Sequence, residues 1–195
     1  MRLLTGLLVF GSAMCTPVVA HGQSAPVQDN AEIAHLFEAD QAVRAAIKPE
    51  QFQDRAFVTR MIEADRVRRD STGVLLKAGK VRTANDLYRA AFIFQHGSTP
   101  DDYLLAHTLA LASAAKGKAD AAWIAAATLD RYLQAIGQKQ IYGTQYLNRR
   151  ETGPTMEPYD RELVPDALRE TLGVPVLDKQ DARLTTMKAA GTLTR

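Results

Sequence analysis

The chain has 195 residues and a formal net charge of +2, since 24 lysines and arginines stand against 22 aspartates and glutamates. Its densest basic run, residues 66–69, is flanked by Asp65 and Asp70, so nucleic acid is not an expected partner. The single cysteine, Cys15, lies near the N-terminus. Disulfides, thiolate catalysis and cysteine-bound metals are therefore not expected in the rest of the chain.

The first 20 residues have the order of a secretory signal. Arg2 supplies a positive charge, residues 3–14 are apolar or small, and Pro17 precedes the small or modest residues that end at Ala20. The apolar run is shorter than the roughly 20 residues that a stable membrane anchor requires. We therefore expect cleavage after Ala20 and a periplasmic or secreted mature chain with no stable membrane anchor.

Two rival interpretations of this segment are a retained membrane anchor and a lipoprotein attached through Cys15. Met14 is bulky where a lipoprotein signal prefers a small residue, which favours simple cleavage. Removal of residues 1–20 leaves 175 residues and a net charge of +1. That length suits one hydrophobic core and is short for two ordinary domains. Residues 21–30 are polar and predict a flexible leader before this core.

The first half of the mature chain predicts helices. Asp29 and Glu32 have the spacing of a capping box, and the helix that they begin should end before Pro49. A second helical segment is predicted over about 51–69. Residues 71–73 (Ser-Thr-Gly) are expected to interrupt it before a short further turn.

Three consecutive helices are predicted in the centre of the chain. Thr83 and Thr99 are each followed three residues later by aspartate, which is typical of capping boxes, and Asp120 begins the third helix. These helices are expected to end at three glycines, Gly97, Gly117 and Gly137. Loops this short place neighbouring helices antiparallel.

The chain after Gly137 is less regular, with a short irregular or β-like segment expected near 138–160 and a short helix beginning at Pro165. The predicted fold is mainly α, a single-domain bundle of antiparallel helices over residues 31–178. Residues 179–195 are weakly patterned and are predicted to form a C-terminal tail.

Five short motifs resemble those of an uncharacterised bacterial family, a domain of unknown function. The resemblance spans roughly residues 33–177 and implies a shared, largely helical domain with recurring polar residues. It implies no reaction. The motifs are DQAVR at 40–44, AAFIFQHG at 90–97, AHTLA at 106–110, DRYL at 130–133 and YGTQ at 142–145.

Asp40 falls on the apolar stripe of the first predicted helix, and Arg44 lies one turn further along. Ionised carboxylates are rarely buried unless they are paired, so we expect a buried Asp40–Arg44 ion pair. The pair could be purely structural, or it could line a pocket together with Gln41. Both interpretations stay open.

The two central histidines differ in setting. His96 directly precedes a helix-ending glycine, where a partly positive imidazole suits the helix dipole. His107 lies among leucines and should face the core. Helix geometry separates the two rings by roughly 9 or 10 Å along the axes, so they are poorly placed as joint metal ligands. No metal or cofactor is expected, because no zinc or nucleotide motif is present.

The candidate site residues are polar residues within the resembling motifs, together with Gln140, which lies between the last two. The catalytic candidates are His107, Asp130 and His96, and a site is expected where His107, Asp130 and residues 142–145 meet, with His96 at its edge. Gly143 would serve either a tight turn or a close approach to a ligand. The candidate binding residues are Asp40, Gln41, Arg44, Gln95, Arg131, Gln140, Tyr142, Thr144 and Gln145.

Two functional hypotheses follow from these residues. The first is a non-catalytic module that binds a peptide, a glycan fragment or a partner protein, since the chain shows no GxSxG nucleophile motif and no metal motif. The alternative is a hydrolase or transferase that uses a His/Asp pair in a pocket between helices. Convergence of the polar residues on one open pocket would favour the enzyme, and individually paired residues would favour the module.

Overall fold

A computed structural model describes residues 27–149 and 151–192. The predicted signal (1–20) and most of the predicted leader lie outside the described residues. Within them the chain forms seven α-helices, a 3-10 turn at Pro49–Gln53 and two short strands. The elements are α1 Ala31–Ala46, α2 Arg55–Lys77, α3 Ala84–Phe94, α4 Pro100–Ala115, α5 Ala121–Ala135, β1 Leu147–Arg149, β2 Gly153–Thr155, α6 Asp166–Thr171 and α7 Leu177–Thr192.

The helices α3, α4 and α5 pack consecutively, while α1 and α2 pack against each other and against α3. Much of their shared core is alanine, including Ala90, Ala106, Ala110 and Ala125. Small side chains allow neighbouring helix backbones to approach closely, and Ile33 of α1 and Ile124 of α5 fill the remaining space. The predicted mainly α bundle is confirmed.

The predicted caps of α3 and α4 are confirmed, whereas that of α1 is wrong by one residue. Thr83 and Thr99 each form a capping box. The N-cap of α1 is Asn30, whose side-chain oxygen accepts from two backbone amides. Asp29 instead accepts hydrogen bonds from Thr83 and Asn85, which ties the start of α1 to the start of α3.

The predicted interruption of the second helix at 71–73 is wrong, because α2 continues through Gly73 to Lys77. Thr72 is fully buried and its hydroxyl donates to the carbonyl of Arg68 at 2.8 Å. Leu75 lies in the core. Burial of this turn outweighs the roughly 1 kcal/mol that a glycine costs inside a helix.

Gly97 differs from the other two helix-ending glycines. Gly117 and Gly137 adopt left-handed backbone conformations, with φ of 94° and 74°. Gly97 does not, and a Cβ built there would overlap the side chain of Asp102. Gly97 is therefore required by the close approach of the α4 cap.

The segment after α5 carries the β-like structure that was predicted near 138–160. Strands β1 and β2 pair antiparallel, with Leu147 opposite Thr155. The C-terminal tail predicted from residue 179 is wrong for residues 179–192, which belong to α7. Its first turn is held by Gln180, which is fully buried.

Candidate functional site

Side chains from α1, α2 and the end of α3 converge on one polar cluster, formed by Asp40, Arg44, Asp65, Arg68 and His96. The spacings from Asp40 to Arg44 and from Asp65 to Arg68 put each pair on one helix face. Asp40 is 1% exposed, whereas the side chains of Arg44 and His96 are about 20% exposed, at 21% and 20%. The cluster is therefore buried on its aspartate side and partly exposed at Arg44 and His96.

The predicted Asp40–Arg44 pair is present, but it belongs to a larger network. Arg44 Nη2 lies 3.5 Å from Asp40 Oδ1 and 2.8 Å from both carboxylate oxygens of Asp65. Arg68 Nε lies 3.4 Å from Asp40, and Arg68 Nη2 pairs with Asp65. Gln41 donates to the other oxygen of Asp40 at 2.9 Å. Each aspartate thus contacts two arginines.

Burial dominates the electrostatics of Asp40. It raises the pKa of the carboxyl above its ordinary value, and the positive charges of Arg44 and Arg68 oppose that rise. The two arginines therefore offset part of the cost of holding a carboxylate in the core.

His96 is neutral and acts as a hydrogen-bond acceptor. Its Nε2 accepts from Arg44 Nε at 3.0 Å, and its carbonyl accepts from Arg69 Nη1 at 2.7 Å. Burial, reinforced by the charge of Arg44, lowers the pKa of His96 to about 3. The partly positive helix-end imidazole that we predicted is therefore wrong. Since Nε2 accepts, the ring proton is assigned to Nδ1.

Arg131 of α5 is a third arginine beside the cluster. Its charge lowers the pKa of His96, and burial together with the nearby charge of Arg44 lowers the pKa of Arg131 itself, against the opposing influence of Tyr103. Its Nε is buried and has no acceptor within the described part of the chain. Unlike Arg44 and Arg68, Arg131 makes no ion pair with any described carboxylate.

Asp130, a predicted catalytic candidate, anchors the loop that follows α5. Its Oδ1 accepts from the backbone amides of Ile141 and Tyr142, at 2.8 and 3.0 Å. Its Oδ2 accepts from the amide and the hydroxyl of Thr144, at 2.9 and 2.7 Å. The residue is fully buried. Four donors therefore occupy the carboxylate that a proton-transfer role would need.

Two glutamines close the same loop. Gln140 is fully buried, accepts from the Gln145 amide at 3.0 Å, and donates to the carbonyls of Gln145 and Met156. Gln145 reaches α5 through a 3.1 Å hydrogen bond to the Ala127 carbonyl. Both predicted binding residues therefore hold the loop on the bundle.

Gly143 lies where this loop meets α7. Its φ is 76°, and a Cβ built there would overlap Gln180 Oε1 and lie 2.5 Å from the Tyr159 hydroxyl. Gln180 also donates to the carbonyl of Tyr142 at 2.8 Å. Of the two interpretations that the sequence left open, these contacts are those of a docked turn.

His107 lies beside α5 and makes no hydrogen bond or ion pair with a carboxylate of the described residues. Its Nδ1 lies 2.8 Å from the Ala125 carbonyl, so that nitrogen carries the ring proton. Among the described residues no hydrogen bond links His107 to Asp130 or to Gln145. The groups that were predicted to form one site instead make separate contacts along α5. His96, which was expected at the edge of that site, lies within the polar cluster.

Sequence reasoning missed Asp65, Arg68 and Tyr103. Asp65 and Arg68 belong to the basic run at 66–69 and its flanking acids, which the sequence analysis used only to judge nucleic-acid binding. Their signal was the three-residue spacing of opposite charges, with both residues on the helix face that also carries Thr72 and Leu75. Gln95, which was predicted, is buried directly before His96.

An open groove of about 510 Å³ lies along α2 and shares Arg68 with the polar cluster. Its remaining walls come from the same helix. The lining residues are Thr59, Arg60, Glu63, Ala64, Val67 and Arg68.

No helix in the described ranges combines the length and the apolar character needed to cross a membrane. Within residues 27–149 and 151–192, no group of three or more His, Cys, Asp or Glu side chains could hold a metal ion. Comparison with protein-family models, with curated proteins and with solved structures gave no match. The resemblance to an uncharacterised bacterial family therefore stays a prediction.

Proposed function

We propose that this chain is an exported, non-catalytic module that binds a peptide, a glycan fragment or a partner protein. The polar cluster with Arg131 is the proposed binding site. One observation carries the proposal: Arg44 and Arg131 each keep a buried N–H group that no described residue accepts.

Buried donors of this kind are costly. An unsatisfied buried polar group costs about 1–3 kcal/mol, and more when it is charged. A ligand that supplies acceptors would recover this free energy on binding. The partial exposure of Arg44 and His96 gives it access, and the groove along α2 gives room for the rest of the ligand beside Arg68.

The alternative, a hydrolase or transferase with a His/Asp pair, has less support. Four hydrogen bonds occupy Asp130, and Arg44 occupies the Nε2 lone pair of His96. A general base needs a free lone pair within reach of the proton that it removes. His107 keeps its Nε2 but has no carboxylate partner among the described residues.

Binding of the mature protein to peptide and glycan arrays tests the proposal, with Arg131→Gln as the site variant. Arg161→Gln is the matched control, because Arg161 pairs with Asp181 and belongs neither to the polar cluster nor to the lining of the groove. Ligands held by the wild type and the control but lost by Arg131→Gln would support the site. Ligands retained by Arg131→Gln would place binding elsewhere, and turnover of a ligand would favour the enzyme.

Export is proposed on the composition of residues 1–20. N-terminal sequencing of protein from the periplasm or the medium tests it, with a start near His21 as the expected result. A start at Met1, or a lipid on Cys15, would contradict it.

A further inference from the structure

The unmatched polar atoms beside the cluster are all hydrogen-bond donors. They come from α1, α2 and the last turns of α5, and each is buried without an acceptor from the described residues. A ligand that completes this site must therefore bring acceptors and not donors. The atoms are Arg44 Nη1 and Arg131 Nε, together with Arg68 Nε, which makes no hydrogen bond although it lies 3.4 Å from Asp40 Oδ1.

The charges at the site leave one positive charge unmatched. The guanidinium groups of Arg44 and Arg68 face the two carboxylates of Asp40 and Asp65, whereas Arg131 interacts with the charge of Arg44 and pairs with no described carboxylate. His96 adds no charge because it is neutral. The neighbouring pair of Arg69 and Asp102, with 4.0 Å between its charged atoms, is balanced. A monoanion would neutralise the site, whereas a phosphate monoester, with about −1.5 to −2 charges, would overshoot.

The arginines differ in how far they are already engaged. Arg68 contacts both aspartates and its side chain is only 10% exposed. Arg44 keeps Nη1 without an acceptor and its side chain is 21% exposed, and Arg131 has no carboxylate partner among the described residues. Planar guanidinium groups match the two oxygens of a carboxylate better than a point charge does. A carboxylate between Arg44 and Arg131 would also remove the repulsion between these two cations.

We infer that the site binds a single carboxylate group of its ligand, held between the guanidinium groups of Arg44 and Arg131. This inference rests on the proposed binding function and names the group that is recognised. Two sources of such a group fit the site, the C-terminal carboxylate of a peptide and the carboxylate of an acidic sugar.

Titration of the labelled mature protein with paired probes tests the inference. N-acetyl-alanyl-alanine is compared with its C-terminal amide, and glucuronate is compared with glucose, at constant ionic strength. The readout is the NMR signal of the Nε–H groups of Arg44 and Arg131. Saturable shifts are expected with at least one of the two acids and with neither neutral analogue, and the acid that shifts these signals identifies the source.

Variants locate the effect. Arg131→Gln should weaken binding of that acid at least about tenfold, the loss expected when a charged hydrogen bond worth about 1.5 kcal/mol or more is removed. Arg131→Lys keeps the positive charge but loses the planar guanidinium group. Its affinity for the acid should lie between those of Arg131→Gln and the wild type. Arg161→Gln should change affinity less than about twofold, because Arg161 belongs neither to the cluster nor to the groove.

Three outcomes would overturn the inference: equal binding of the acids and their neutral analogues, undiminished acid binding by Arg131→Gln, or no shift of either arginine signal. The direct shifts in the wild-type protein decide the matter even if a variant folds poorly. Array ligands that lack a carboxylate but need Arg131 would leave the binding function standing and refute this inference alone. Failure of the arrays and of both acids would refute both proposals.

Discussion

Arg44 donates through Nε to Nε2 of His96 at 3.0 Å, so a guanidinium occupies the only lone pair of the neutral imidazole. This contact joins α1 to the end of α3 across 52 residues of sequence. It also makes protonation of His96 costly, because a proton on Nε2 would break the hydrogen bond and place a cation beside Arg44. Folding therefore favours the neutral form of His96.

The stability of the protein should depend on pH through His96. Its pKa is about 3 in the folded protein against an ordinary value of 6.5, so the unfolded chain binds more protons between these values. The free energy of unfolding should be highest above about pH 6.5 and fall as the pH drops toward 3. The slope from this group is at most about 1.4 kcal/mol per pH unit.

Urea unfolding of the wild type and of His96→Gln across this range measures that dependence. The difference in unfolding free energy between them should be constant above about pH 7 and shrink below pH 6.5. The raised pKa of Asp40 contributes in the opposite sense, stability lost as pH rises, and taking the difference largely removes it. A difference that stays constant down to pH 4 would show that His96 is not held neutral by folding.

Asp40 and Arg44 should be energetically coupled. Asp40→Ala removes a buried carboxylate that contacts two arginines and should cost on the order of 3 kcal/mol. The double variant with Arg44→Ala should cost less than the sum of the single changes. Thermal and denaturant unfolding of the four proteins in the cycle give the coupling free energy.

The pair of Glu63 and Arg66 is the matched control for this cycle. Like Asp40 and Arg44, these two residues form an ion pair within one helix, here α2, with 2.6 Å between Arg66 Nη2 and Glu63 Oε1. Both side chains, however, are more than half exposed. Its coupling should be much smaller than that of Asp40 and Arg44, since solvent screens exposed charges. Strict additivity at Asp40 and Arg44 would contradict the network.

Gly143→Ala should destabilise the protein more than Gly137→Ala. The two glycines have nearly equal φ values, 76° and 74°, so the backbone strain of roughly 1–2 kcal/mol is shared. A Cβ at Gly137 meets open space, whereas one at Gly143 overlaps Gln180. The extra cost should be about 1–3 kcal/mol, the usual range for overpacking. Equal losses in unfolding experiments would show that the turn is not docked under α7.

Asp130→Ala should release the loop that follows α5. It removes the acceptor for the amides of Ile141, Tyr142 and Thr144 and should cost about 3 kcal/mol or more, since each bond to a charged acceptor contributes about 1.5–3 kcal/mol. Hydrogen exchange gives a local measure. Those three amides should lose protection, while the Gln95 amide, which is bonded to the Ala91 carbonyl outside this loop, serves as an internal control. Retained protection at all three would contradict the anchoring role.

The features that the sequence determined by itself depend on residues within one turn of each other. The capping boxes at Thr83 and Thr99 close over three residues, and both were predicted correctly. The left-handed glycines at 117 and 137 are equally local. The antiparallel order of the central helices follows from the short loops between them. Such features need no knowledge of the rest of the chain.

Three features depend on the tertiary structure alone. They are the composition of the polar cluster, the continuation of α2 through Gly73 and the helical structure of residues 179–192. Arg44 was predicted to pair with Asp40, yet Asp65, which is 21 residues from Arg44 in sequence, is its closer partner. Helix α2 crosses Gly73 because Thr72 is buried, and the start of α7 is held by a glutamine that reaches a loop 38 residues earlier. The physical reason is that burial sets these free energies, and burial depends on which distant elements pack together.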